Sequence, residues 1–439
     1  MGMIIPSSFK FLLPGIGIKR WLAVTLASVV LIAFGAVCLV GREGARGLYE
    51  FVFSRWPSLM RPMIGALAVA IGVLGVGFGL VKSVRSVLHA LSPRSGGSLG
   101  EALYQARVLK AAPKVVAIGG GTGLSNLLRG LKAYTANLTA VVTVMDTGGS
   151  SGRLREELSV LPPGDVRNCL LALAEDEERM ARLFQFRFVD GEGLRGHALG
   201  NLVLAALEQA TGGFDRAVEE ASYFLSVRGQ VLPATLDRVD LVAEMEDGGQ
   251  VVGEAQIAED PRAIRRVWLS ARARAYDRVL SAIAEADLIT VGPGSLFTSI
   301  LPNLLVEGVA EALARAPGEK IVIMNLMTQP GETDGFTAHD HLRVLSEYVD
   351  LSRFHAVVVN TESPPPEILA RYRAEGSEPV ADDLRAGRTF GLRVIRAPLL
   401  SVVEIEGKPT IKHDPQRLAR LLVEESRGFR RAWTRWFSP

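Results

Sequence analysis

The chain has 439 residues, 48% hydrophobic and 22% charged, with a formal net charge of +2, which suits a folded protein of two or three domains that includes a membrane portion. Residues 1–112 hold twelve Lys/Arg against three Asp/Glu, so this apolar, basic part points to an anionic membrane surface, while the acidic remainder excludes broad nucleic-acid binding. The two cysteines, Cys38 and Cys169, exclude a disulfide framework and a thiolate metal site.

Two charge-free runs open the chain, Trp21 to Val40 and Pro62 to Val81. Each predicts a helix of about 30 Å, the thickness of a bilayer's hydrocarbon core. Gly65, Gly72, Gly75, Gly77 and Gly79 permit close packing of the second helix on the first. The expected product is a two-helix transmembrane hairpin over residues 1–91. A cleaved signal peptide is the alternative for the first run. Lys10, Lys19 and Arg20 on one flank and Lys82, Arg85 and Arg94 on the other favour cytoplasmic ends, and hence a cytoplasmic soluble domain at the cell membrane. Residues 92–112 read as a flexible linker.

From residue 113 to 412 the pattern is α/β. Lys114–Ile118 and Leu138–Met145 are β-branched runs, and further strands are expected at Asp287–Val291, Lys320–Met324, Ala356–Val359 and Leu392–Ile395. Helical segments lie between them, which predicts a doubly wound, mostly parallel, Rossmann-like sheet. Two alternating runs about Asp247-Gly248-Gly249 predict an inserted β-hairpin. Four of the strands end in loops that suit a ligand: Gly119-Gly120-Gly121-Thr122-Gly123, Asp146 through Gly148 and Ser150, Gly292 through Gly294 and Ser295, and Asn325 through Thr328. In an open parallel sheet ligands bind beyond the carboxyl ends of strands, where glycine lets the backbone approach phosphate and the next helix offers free N–H groups.

The first loop is G-x-G-x-G, short of the dinucleotide fingerprint. Asp146 is placed to bind a ribose hydroxyl or to cap its turn, and Asp165 either caps a helix or contacts ligand or metal. His197 and Asn201 are candidate ligand contacts, with a structural histidine at a helix start as the alternative for the first. Arg153 and Arg155 either pair with a diphosphate or are solvated helix charges. His339 and His341 point different ways along a helix and make no metal pair. Residues 413–439 read as a basic, aromatic helix suited to a membrane interface or to partial packing.

The motifs KVVAIGGGTG (114–123), DTGGSSGRLR (146–155), PPGDVRN (162–168, with Asn168), GHALGNL (196–202), VRGQVLPATLDRV (227–239) and TVGPGSLFTS (290–299) resemble the gluconeogenesis factor YvcK family, related to 2-phospho-L-lactate transferase. The resemblance implies a Rossmann-like domain that binds a UDP-sugar such as UDP-N-acetylglucosamine, with a regulatory role in cell morphology and growth on gluconeogenic carbon sources. It also implies a protein partner in envelope synthesis; oligomeric state is left open. The transferase branch uses Mg²⁺, here near Asp146 and Asp165. That branch reads Asn-Thr-Gly-Asp-Asp where this chain has Asp146-Thr147-Gly148-Gly149-Ser150, so binding is favoured over phosphoryl transfer. A nicotinamide dehydrogenase is the third reading.

Overall fold

The computed structural model describes residues 18–40, 60–91, 108–385, 387–405 and 407–429. It divides into two compact units, residues 1–104 and 105–439.

In the first unit, helices Ile18–Val40 and Met60–Leu91 pack antiparallel. Glycine decides the contact. A Cβ at Gly35 would meet the Gly65 carbonyl at 2.7 Å, one at Gly72 the Ser28 carbonyl at 2.8 Å, and one at Gly79 the Trp21 carbonyl at 3.2 Å. Gly77, in contrast, faces open space, because it lies off the stripe that recurs every three or four residues. The outer surface is apolar, with Val30, Met63, Leu67, Leu74 and Val81 exposed. The sequence predicted two membrane spans, but among the described residues only Met63–Ser83 is long and apolar enough to cross a membrane. The first helix meets the apolar criterion only over Ala23–Ala36.

The second unit is a mixed α/β fold around an eight-stranded sheet. Its strands are β1 (Val115–Gly119), β2 (Leu138–Val142), β3 (Gln230–Pro233), β7 (Leu288–Val291), β8 (Glu319–Ile323), β9 (Ala356–Asn360), β10 (Arg388–Thr389) and β11 (Leu392–Ala397). They run in the order β10-β11-β9-β8-β7-β1-β2-β3, and every pair is parallel except β10 with β11. Both faces are covered, so successive β1 residues enter opposite cores: Val116 and Ile118 one, Val115 and Ala117 the other. That explains why the central strands read as unbroken apolar runs. From β1 the chain winds outward through β2 and β3, and from β7 it winds the other way through β8 and β9. The order therefore reverses between β1 and β7.

The expected hairpin insertion is a three-stranded antiparallel layer, β4 (Leu241–Met245), β5 (Gln250–Val252) and β6 (Ile264–Leu269), with helix Glu254–Glu259 within it. A further hairpin, β12 (Leu400–Ile405) with β13 (Lys408–His413), follows the sheet. Two boundaries differ from the sequence reading. Residues 108–112 belong to the folded unit, because Leu109 is buried and its carbonyl accepts from Ala136 N–H, while Asn137 donates to the Lys110 and Ala112 carbonyls. The C-terminal helix is Pro415–Glu425, whose Leu418, Ala419, Leu422 and Val423 are core, as is Phe429. The packed alternative holds up to there; residues 430–439, with the rest of the basic, aromatic stretch, lie outside the described residues.

Candidate functional site

A cavity of about 590 Å³ opens at the carboxyl ends of the strands where the sheet order reverses. That is where open α/β sheets take their ligands. The floor is the loop after β1. Gly121 has φ +60°, which glycine adopts without strain. Helix Gly121–Leu131 begins there with no side-chain cap and no acidic residue in its first turn. Gly121, Thr122 and Gly123, which open that helix, line the cavity; the Gly121 N–H is taken by the Asp165 carboxyl, which leaves Thr122 and Gly123 as first-turn donors for an anion. Asn303, fully buried, holds this loop by donating to the Gly119 carbonyl at 3.0 Å.

Opposite lies the loop after β7, with Gly294, Ser295 and Ser299 in the lining. Gly294 N–H donates to Asn325 Oδ1 at 3.3 Å, tying this loop to the one after β8. Asn325 and Thr328 also line the cavity. Thr328 Oγ1 accepts from Glu378 N–H at 2.9 Å, so its hydroxyl also fastens the wall.

The cavity lining carries charges of both signs. One group is Asp146, Asp165 and Glu254. Burial, then the Asp146 charge, pushes Asp165 up to about 7, although the Gly121 N–H favours its ionised form. Burial, then Asp146, Asp165 and Glu332, pushes Glu254 up to about 8. The β12–β13 hairpin supplies Thr410, Ile411, Lys412 and His413 to the lining, and helix Pro366–Ala374 supplies Tyr372. Lys412 makes no ion pair among the described residues, and burial followed by the Arg129 charge lowers its pKa. Burial holds His413 down at about 4, so it is neutral. The hairpin is fixed to the first loop's helix, since Asn126 Nδ2 donates to the His413 carbonyl, and to Tyr372, whose hydroxyl accepts from Ile411 N–H at 2.9 Å.

Of the residues singled out from sequence, Gly120, Gly121, Thr122, Gly123, Asp146, Asp165, Gly294, Ser295, Asn325 and Thr328 line this cavity. Gly119, Gly148, Ser150, Asn168, His197, Asn201 and Gly292 do not. Gly148 N–H instead donates to Asp146 Oδ1 at 2.8 Å, fixing that carboxylate. Ser150, His197, Asn201 and Asn168 form a buried polar network behind the cavity. Ser150 Oγ lies 3.0 Å from His197 Nδ1 and accepts from Asn201 Nδ2 at 3.1 Å. Arg167, also buried, donates to Asn201 Oδ1 at 2.7 Å and to Asn168 Oδ1 at 3.1 Å. Burial, then Arg153, lowers the His197 pKa. Arg153 donates to the Arg195 carbonyl, and Arg155 pairs with Asp240 at 2.6 Å; neither lines the cavity. His341 is buried with Nδ1 on the Thr337 carbonyl at 2.8 Å, and the His339 ring packs on Phe390.

Glu254, Asn303, Tyr372, Lys412 and His413 escaped the sequence reading. Lys412-His413 follows a β-branched run, the one cue that a strand end lies there; nothing local marks Glu254.

The family model for 2-phospho-L-lactate transferase CofD matches residues 115–400. The Bacillus subtilis protein named gluconeogenesis factor is 48% identical over 313 residues, 71% of this chain and 98% of its own length. The chain belongs to the CofD/YvcK family. A Nostoc relative is 43% identical over 425 residues, 95% of this chain and 92% of its own length, so it extends into the N-terminal unit. A crystal structure of a Bacillus halodurans protein, 44% identical, covers 71% of this chain and 99% of that one with a TM-score of 0.68. The second unit of this chain thus corresponds to a complete protein in those shorter relatives. The matched CofD region ends before β13, so Lys412 and His413 come from outside it.

Proposed function

We propose that this chain is a membrane-tethered regulatory protein whose cavity holds a nucleotide-sugar of the UDP type, acting in cell morphogenesis under gluconeogenic growth. One observation carries the reading: the first turn of helix Gly121–Leu131, with no acidic residue of its own, and Lys412, which makes no ion pair among the described residues, line one cavity of about 590 Å³. Two sources of positive potential in one cavity suit a diphosphate. The first-turn N–H groups hold phosphate oxygens, Lys412 supplies the counter-charge, and Tyr372 offers a face for a ring. The ligand state is then read by an envelope-synthesis partner. The helix pair of the first unit supports the tether: its contact is made by glycine and its outside is apolar.

The transferase reading draws on Asp146, Asp165 and Glu254 in the same cavity. Among the described residues, however, no three His, Cys, Asp or Glu side chains are set to hold a metal ion, so no step through Mg²⁺ is derived.

Calorimetric titration of a 105–439 fragment with UDP-N-acetylglucosamine, NAD and GDP, with and without Mg²⁺, tests the ligand. UDP-sugar binding without metal is expected; metal-dependent binding of GDP alone would replace this reading with the transferase. For the tether, the full chain should stay in the membrane fraction through an alkaline carbonate wash while the fragment stays soluble. Release of the full chain by that wash would refute it.

A further inference from the structure

Glu254 reaches the cavity from the inserted layer, far from the sheet in sequence. The layer is clasped to the loop after β2 through Thr147. Thr147 Oγ1 accepts from Ala255 N–H at 3.0 Å and donates to Gln256 Oε1 at 3.1 Å, while the Glu254 carboxyl accepts from Thr147 N–H. Glu254 is thereby held against Asp146 of the same loop and Asp165 of helix Gly164–Leu173. The loop after β8 adds Glu332, buried, with Oε1 accepting from Thr298 Oγ1 at 3.0 Å and Oε2 without a partner. Arg167 lies close enough to Asp165 and Asp146 for their charges to favour its charged form, against burial, which lowers its pKa to about 10. Lys412 and the neutral His413 line the same cavity.

Three carboxyl groups therefore line the space that a phosphate-bearing ligand enters. Ionised together they repel it; protonated, each becomes a neutral donor. We propose that Glu254 makes occupancy of this cavity proton-linked: the ligand binds with uptake of protons by Glu254 and Asp165, beside Asp146, and Glu254 sets the pH above which binding weakens. This rests on the cavity taking a phosphate-bearing ligand. Burial and mutual repulsion put Asp165 at about 7 and Glu254 at about 8, so the linkage falls in the neutral range, and an incoming anion raises both further.

The test uses the 105–439 fragment, whose counterpart in the shorter relatives is a complete protein, with a chelator present. Titrations with UDP-N-acetylglucosamine in two buffers of different ionisation enthalpy should show proton uptake. Affinity should fall roughly tenfold between about pH 6.5 and about pH 9. In Glu254→Gln the ratio of the affinities at those two pH values should fall to within about twofold of one, whatever the affinity at either. Ligand-free melting gives a second reading. A carboxyl raised in the folded state stabilises below its unfolded pKa, and that stability is lost as pH rises through the folded value. The melting temperature of the native fragment should thus drop between about pH 4.5 and about pH 8, more steeply than that of Glu254→Gln. Binding that is pH-independent, or that falls equally in the variant, overturns the linkage while leaving the ligand reading intact. Absence of binding at every pH overturns the ligand reading itself, whatever the melting curves do.

Discussion

Replacing Gly123 by alanine tests the cavity at its narrowest joint. The new Cβ would lie 2.6 Å from the Pro293 carbonyl oxygen, 2.9 Å from its carbon and 3.2 Å from Gly294 N. All three are backbone atoms, so no rotamer change relieves the contact. Raising 2.6 Å to the 3.0 Å below which real Cβ contacts essentially never fall means parting the two loops by at least about 0.4 Å. Overpacking of this kind costs about 1–3 kcal/mol. Alanine in the first helical turn returns up to about 1 kcal/mol of propensity, which leaves a fold weakened by roughly 0–2 kcal/mol and still folded. The ligand meets a larger effect, because the first-turn donors sit on the loop that has to move. Losing one charge-assisted hydrogen bond of about 1.5–3 kcal/mol weakens binding about ten- to a hundredfold. Calorimetry on the fragment, paired with thermal melting, measures both. A Gly123→Ala protein that binds UDP-N-acetylglucosamine with unchanged affinity would refute the phosphate site at the first helical turn.

Three further outcomes follow from the same geometry. Lys412→Glu should weaken the same ligand at least about tenfold and flatten the salt dependence of binding; equal affinities would remove Lys412 from the site. Arg167→Met leaves Asn201 Oδ1 unpaired and strips the positive charge behind Asp165, so stability should fall by about 2–4 kcal/mol, and an unchanged denaturant midpoint would show the network to be dispensable. Burial pushes Glu332 up to about 7 from an ordinary 4.5, so its folded form resists ionisation and stability is lost as pH rises through that window. Glu332→Gln should then melt like the native fragment near about pH 5 and higher above about pH 8, with coincident pH–melting curves speaking against a buried, raised carboxyl.

The sheet was legible because its strands are buried on both faces and end in glycine. Lys114–Ile118 and Asp287–Val291 were read to within a residue of β1 and β7, and the glycines at 120–123 and 294 fall in the cavity. What local pattern could not carry was the third dimension. His197 and Asn201 stand among glycines before a helix, as ligand contacts do, yet the chain buries them as partners of Ser150 and Arg167. Glu254 and Lys412 look like ordinary charges, and only the clasp at Thr147 and the hairpin after β11 bring them to the rim. The core helix that follows the β12–β13 wall of the cavity, Pro415–Glu425, was read as part of a basic tail, since Phe429 and the Arg residues around it mask its apolar stripe at Leu418, Leu422 and Val423.

That wall also sets an order of events. The first loop's helix waits for its last neighbours: Asn126 finds the His413 carbonyl, and Gly130 packs so closely on Pro415 that a methyl group there would collide with its backbone. During synthesis the strands from β1 to β9 leave the ribosome well before the β12–β13 hairpin does. A nascent chain therefore carries its glycine loops before it carries Lys412, and the cavity is completed only when the hairpin after β11 arrives.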